Sequence, residues 1–171
     1  MMTITPRRGH ACILLLATLI LAACQGDQTT RVVRVIDGDT IDVRTGNAKT
    51  EHIRIIGINT PETVDPRKKV QCFGPEASRR MHEIADGKTV TLEAKPGEDR
   101  DKYGRLLRYV TLDGRDLGAR MIAEGFAQSY RHFPHPRLRT YDQLESQARS
   151  SGLGLWSACP HRARHSSKKH V

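Results

Sequence analysis

Two β-branched runs, residues 31–36 (RVVRVI) and 40–44 (TIDVR), are separated only by Asp37-Gly38-Asp39. A link that short allows one arrangement of two extended segments, an antiparallel hairpin, because a parallel pair needs a crossover of a dozen or more residues. A third run, 52–58 (HIRIIGI), follows and is apolar throughout except for Arg54. Residues 89–94 and 106–112 predict two more strands, joined by the polar stretch 95–105. Helices are predicted at 74–85, with Pro75 in its first turn and Gly87 beyond its end, at 116–124 before Gly125, and at 137–150. In the last of these Leu138, Tyr141, Leu144 and Ala148 share one face. Five strands with three helices give an α+β domain, and a small closed barrel is the economical way to remove the sheet edges. A length of 171 residues supports one such domain.

The N-terminus reads differently. Arg7 and Arg8 precede an uncharged apolar run from Ala11 to Ala23. As a helix that run reaches about 20 Å, short of the roughly 30 Å hydrocarbon core of a bilayer. The pattern predicts an export signal over 1–23. The run ends Leu21-Ala22-Ala23-Cys24, which resembles a lipoprotein cleavage box and implies lipid on Cys24, with 24–30 as a tether. An acylated chain would be held on the membrane of the cell envelope, on its periplasmic or outer-surface side. With Cys12 lost in the signal and Cys24 lipidated, Cys72 and Cys159 remain, and in an exported chain they are expected to pair. The domain then runs over 31–160. Residues 161–171 (HRARHSSKKHV) carry four basic residues, three His and no acid, and read as a solvated tail.

Lys and Arg total 28 against 19 Asp and Glu, a net charge of +9 that draws the protein to polyanions without choosing among them. Three clusters carry chemical groups. Asp37-Gly38-Asp39-Thr40, Asn59-Thr60-Pro61-Glu62 and Asp101-Lys102-Tyr103-Gly104-Arg105 each read as an ordinary turn when taken alone. Arg54 does not, because a guanidinium in an apolar strand requires either a carboxylate partner or an anionic ligand. Together they supply oxygen ligands for a hard cation, two positive forks and a carboxylate able to position or deprotonate water. Hydrolysis of a phosphoryl group asks for that inventory. Basic charge in an exported chain points to nucleic acid as the substrate.

The blocks VIDGDT (35–40), RIIGINTPE (54–62), FGPEAS (73–78), DKYGR (101–105) and GLW (154–156) stand in the order and spacing of the staphylococcal nuclease (thermonuclease) family. The chain resembles that family from about Arg31 to Cys159. The resemblance implies an OB-fold barrel with three helices and calcium-dependent phosphodiester hydrolysis of DNA and RNA. It implies that Asp39 gives a side-chain ligand to calcium, Thr60 a backbone carbonyl, and Glu62 holds and activates the attacking water. Arg54 and Arg105 would bind the scissile phosphate, and Lys102 and Tyr103 a substrate phosphate.

Two positions depart from the family pattern. Asn59 stands where the family usually has Asp, so its amide oxygen would ligate with one unit of charge less. After Gly125 the segment reads Phe126-Ala127-Gln128-Ser129-Tyr130, where Tyr130 is the candidate for stacking on a base, with core packing as its other reading. The Cys72–Cys159 pair is an addition to the staphylococcal pattern. The expected protein is therefore a monomeric, lipid-anchored nuclease. The competing class is an OB-fold lipoprotein that binds nucleic acid without cutting it.

Overall fold

A computed structural model describes residues 28–67 and 69–159, and the predicted signal, Cys24 and the tail 161–171 lie outside them. The chain order is β1 (Gln28–Val35), β2 (Thr40–Arg44), β3 (Thr50–Ile55), β4 (Ile58–Asn59), α1 (Gly74–Ala85), β5 (Thr89–Glu93), β6 (Leu106–Leu112), β7 (Arg115–Asp116), α2 (Leu117–Ala123), β8 (Gln128–Ser129), α3 (Leu138–Ser150) and α4 (Leu155–Ala158). The predicted hairpin forms, with Val35 opposite Ile41 and Arg31 opposite Arg44. Strands follow the order β3-β2-β1-β5-β6, and a parallel β3–β6 pairing closes the five into a barrel. Closure removes the edges of those strands, as the count of β-branched runs had implied.

The barrel interior is aliphatic. Val32, Val43, Ile53, Ile55, Val90 and Val110 are almost fully buried, and each sits on a strand whose alternation sends its side chain inward. Helix α1 turns Ala77, Met81, Ile84 and Ala85 toward this core, the spacing of one helical face. Helix α2 is capped by Asp116, whose side chain accepts from the Ala119 N–H at 3.1 Å.

Differences from the sequence reading are local. Strand β1 begins at Gln28 rather than Arg31, because Gln28, Thr29 and Thr30 pair with Leu92, Thr91 and Val90. The third strand stops at Ile55, and the chain turns through Ile56-Gly57 into β4, which pairs with β8 as a separate two-stranded ribbon. A short fourth helix, α4, follows Gly154. Its position depends on two glycines in contact: a Cβ on Gly125 would lie 2.3 Å from the Leu153 carbonyl oxygen, and one on Gly154 2.3 Å from the Gly125 oxygen. That close approach lets the Leu155 N–H reach the Gly125 carbonyl at 2.9 Å and is the physical content of the GLW block. Cys72 and Cys159 form the expected disulfide, with Cα atoms 5.8 Å apart.

Candidate functional site

The site begins at the β1–β2 turn. The Ile36 and Asp37 N–H groups both donate to the Thr40 carbonyl, at 3.0 and 3.3 Å, and the Asp37 carboxylate accepts from the Asp39 N–H at 3.0 Å. Gly38 is needed because the Asn59–Thr60 segment presses on the turn: a Cβ there would fall 2.7 Å from Thr60 Cγ2. With that contact made, the Thr60 N–H donates to Asp39 Oδ2 at 3.0 Å. Two turns far apart in sequence thus share one carboxylate.

Arg54, near the end of β3, answers the question its burial raised. Its Nη2 lies 3.2 Å from Asp39 Oδ2 and donates to the Ile58 carbonyl at 2.8 Å, while Nη1 donates to the Ile55 carbonyl at 2.6 Å. Arg105 arrives from the opposite strand, just before β6. Its Nε donates to Asp101 Oδ2 at 2.7 Å and its Nη1 to Thr40 Oγ1 at 3.3 Å. The Thr40 hydroxyl in turn donates to Asp39 Oδ1 at 3.1 Å. Arg54, Asp39, Thr40 and Arg105 therefore form one connected chain of polar contacts at the β3–β6 closure.

Electrostatics follow from this crowding. Burial, then the neighbouring Asp39 carboxylate, push the Asp37 carboxyl up to about 6. Burial also raises Asp101, but hydrogen bonds from the Arg105 side chain and from backbone N–H groups outweigh it and hold it below its ordinary value.

The structure brings together Asp39, Thr60, Arg54 and Arg105. Asn59 is half-buried on β4, opposite Gln128. Glu62 stands two residues past Thr60, and its Oε1 accepts from the N–H groups of Thr63, Val64 and Asp65 at 2.9–3.1 Å. Lys102 and Arg105 both approach the exposed Tyr103 ring, at 5.1 and 5.4 Å from its centroid. Tyr130 lies on the other side, 5.9 Å from the Arg54 guanidinium. It is half-buried and packs against His132 and the exposed Phe133, so an aromatic group flanks each arginine.

Sequence reasoning missed several contributors. Asp37 and Thr40 lay inside the turn block without an individual role, although two carboxylates two residues apart signal mutual repulsion. Asp101 carried a signal in its i,i+4 spacing to Arg105. His132 and Phe133 carried none.

A cation would find oxygen donors here and no sulfur or imidazole, the donor chemistry of calcium or magnesium. Among the described residues no three His, Cys, Asp or Glu side chains converge on one point. Asp39 and the Thr60 peptide, joined by the Thr60 N–H on Asp39 Oδ2, are the groups here that would hold such a cation, with water completing its shell. The repulsion between Asp37 and Asp39 is the feature such a charge would relieve.

A closed five-stranded barrel with helices outside, and with two arginines and a buried carboxylate at its seam, defines an OB-type barrel with a charged site where it closes. The chain belongs to the staphylococcal nuclease homologue family, whose model matches residues 52–158. It is 36% identical over 132 residues to a thermonuclease of Staphylococcus hyicus, covering 77% of each chain. It is 39% identical over 127 residues to endonuclease YncB of Bacillus subtilis, covering 72% of this chain and 59% of that one. It is also 39% identical over 126 residues to the SPbeta prophage-derived endonuclease YokF of Bacillus subtilis, covering 72% and 42%. The chain spans about half the length of those two Bacillus relatives.

Proposed function

We propose that this protein is a calcium-dependent phosphodiesterase that hydrolyses DNA and RNA with little discrimination between their sugars. It acts as a monomer, exported and held on the cell envelope by lipid on Cys24. The observation that carries the reading is the connected set Arg54–Asp39–Thr40–Arg105, which holds two guanidinium forks at one point of the barrel. Relatives named endonuclease and thermonuclease support the same chemistry.

Each residue has a part in it. Arg54 and Arg105 grip the scissile phosphate, and their planar forks match its oxygens as charge accumulates in the transition state. Glu62 orients a water and takes its proton. Lys102 and Tyr103 hold a neighbouring phosphate, and Tyr130 offers its ring to a base. Asp39, Asn59 and the Thr60 carbonyl hold the cation. Bound there, calcium supplies positive charge to the phosphoryl oxygens.

The test is cleavage of single-stranded DNA, duplex DNA and RNA by the purified protein in calcium, in magnesium and in excess chelator, beside Glu62→Ala. Calcium-dependent cutting that collapses in the variant is expected. Arg105→Ala should lower kcat about 10²–10³-fold while substrate affinity changes far less, since the contact strengthens in the transition state. Binding without cutting would leave the barrel a nucleic-acid-binding module.

A further inference from the structure

Glu62 is held at its backbone as well as at its carboxylate. Its N–H donates to Gln71 Oε1 at 3.0 Å, and its carbonyl accepts from the Gln71 N–H at 2.9 Å. Gln71 thus grips Glu62 through both its N–H and its carbonyl, and closes the loop that begins at Thr63. The loop so closed provides the Thr63, Val64 and Asp65 N–H groups that orient the Glu62 carboxylate. Gln71 is exposed, so water competes for its amide and these bonds alone hold weakly.

Gln71 is tied to α1 by the Gly74 N–H, which donates to its carbonyl at 3.0 Å, and to the rest of the molecule by a covalent link. The next residue, Cys72, is bonded to Cys159 at the end of α4. Helix α4 is fixed in turn by the Leu155 N–H on the Gly125 carbonyl and by the buried Leu155 and Trp156. Phe73, next in the chain, stacks on Phe126 with ring centroids 5.4 Å apart. An unbroken line of contacts runs from the packed helix α4 through the disulfide to the backbone of Glu62.

We propose that Gln71 is a positioning residue for Glu62, and that the Cys72–Cys159 disulfide sets its position, so that turnover is highest in the oxidised protein. This rests on Glu62 acting on the attacking water. A dithiol reductant reverses the state by thiol–disulfide exchange: two electrons and two protons pass to the sulfurs, the S–S bond breaks to two thiols, and the reductant leaves as its own disulfide. The fold remains, but the loop base loosens and the Glu62 carboxylate spends less time in the productive orientation. A nuclease built this way is held back wherever thiols are kept reduced and reaches full turnover only where disulfides persist.

The experiment measures kcat and KM on a DNA substrate for the full chain, oxidised and after a dithiol. The proteins are the parent, Gln71→Met, Gln71→Glu and Glu62→Gln, with far-ultraviolet circular dichroism at the assay temperature. Gln71→Met removes the acceptor and should lower kcat about five- to tenfold with KM within about twofold. Gln71→Glu keeps an acceptor for the Glu62 N–H and should restore most of that loss. Reduction should lower kcat of the parent by a similar factor and of Gln71→Met by less, because both act through one contact. Unchanged kcat in Gln71→Met and in the reduced parent, with Glu62→Gln inactive, overturns the proposal and leaves the nuclease reading intact. Full activity in Glu62→Gln removes Glu62 from the reaction and overturns the proposal alone, whereas no cleavage by the oxidised parent overturns the nuclease reading. Losses that follow the folded fraction, equal in Gln71→Met and Gln71→Glu, assign Gln71 a purely structural role and also overturn it.

Discussion

Arg54 makes three polar contacts within the protein, to Asp39 and to the carbonyls of Ile55 and Ile58. Its fork is therefore oriented before any substrate arrives, and little rotamer freedom is left to lose on binding. Its neighbour Asn59 is less well equipped. An amide oxygen carries no full charge, so a cation bound there is held less tightly than by a carboxylate. Asn59→Asp should lower the calcium concentration for half-maximal activity about tenfold, read from activity against free calcium; an equal or tighter value in the parent would contradict this. At this scale the charged groups were legible because an arginine in an apolar strand and clustered turn carboxylates are chemically costly. Thr40 and Gln71 were not, since a hydroxyl or an amide gains meaning only from the partner that folding brings to it.

Helices α1 and α2 are joined by a charge rather than by apolar packing alone. Glu124, just past α2, takes a two-point contact from Arg80 of α1, at 2.7 and 3.1 Å, and a third from Arg120 at 2.8 Å. Burial raises its pKa, but the two guanidinium groups outweigh burial and leave it below the ordinary 4.5. A depressed carboxyl contributes stability that is present above the unfolded-state value and disappears as pH falls through the folded one. Glu124→Gln should therefore be less stable than the parent by about 1 kcal/mol at pH 7, allowing for solvent screening. The gap should close as pH drops below about 4.5, measured by urea unfolding across that range. Long elements such as α1 were legible from periodicity and from the flanking Pro75 and Gly87. The β4–β8 ribbon, β7 and α4 are two to four residues long, too short to show a period, and exist because tertiary contacts complete them.

Across the whole molecule, the disulfide spans 87 residues of sequence, joining the start of α1 to the end of α4. Constraining so long a loop in the unfolded chain stabilises the fold by about 2–5 kcal/mol. Reduction, or paired Cys72→Ala and Cys159→Ala, should lower the thermal midpoint by about 10 °C, seen by calorimetry; an unchanged midpoint would mean the unfolded chain is already restricted there. The barrel itself was legible from five strand signals and one obligatory hairpin, but not the pairing that shuts it. Parallel β3–β6 contacts set Ile53 beside Leu106 and Arg54 beside Leu107, and no local signal announces a contact between such distant residues. That seam also governs when the protein becomes what it is. Contacts between distant residues form late in folding, after the nearer loops have closed. Arg54 stands on one lip of the seam and Arg105 adjoins the other. Until the lips meet, the two cations are tens of residues apart on a flexible chain and cannot grip one phosphate. Under the proposed function the newborn polypeptide is therefore harmless to the nucleic acid around it, and closure of the seam is a condition of competence.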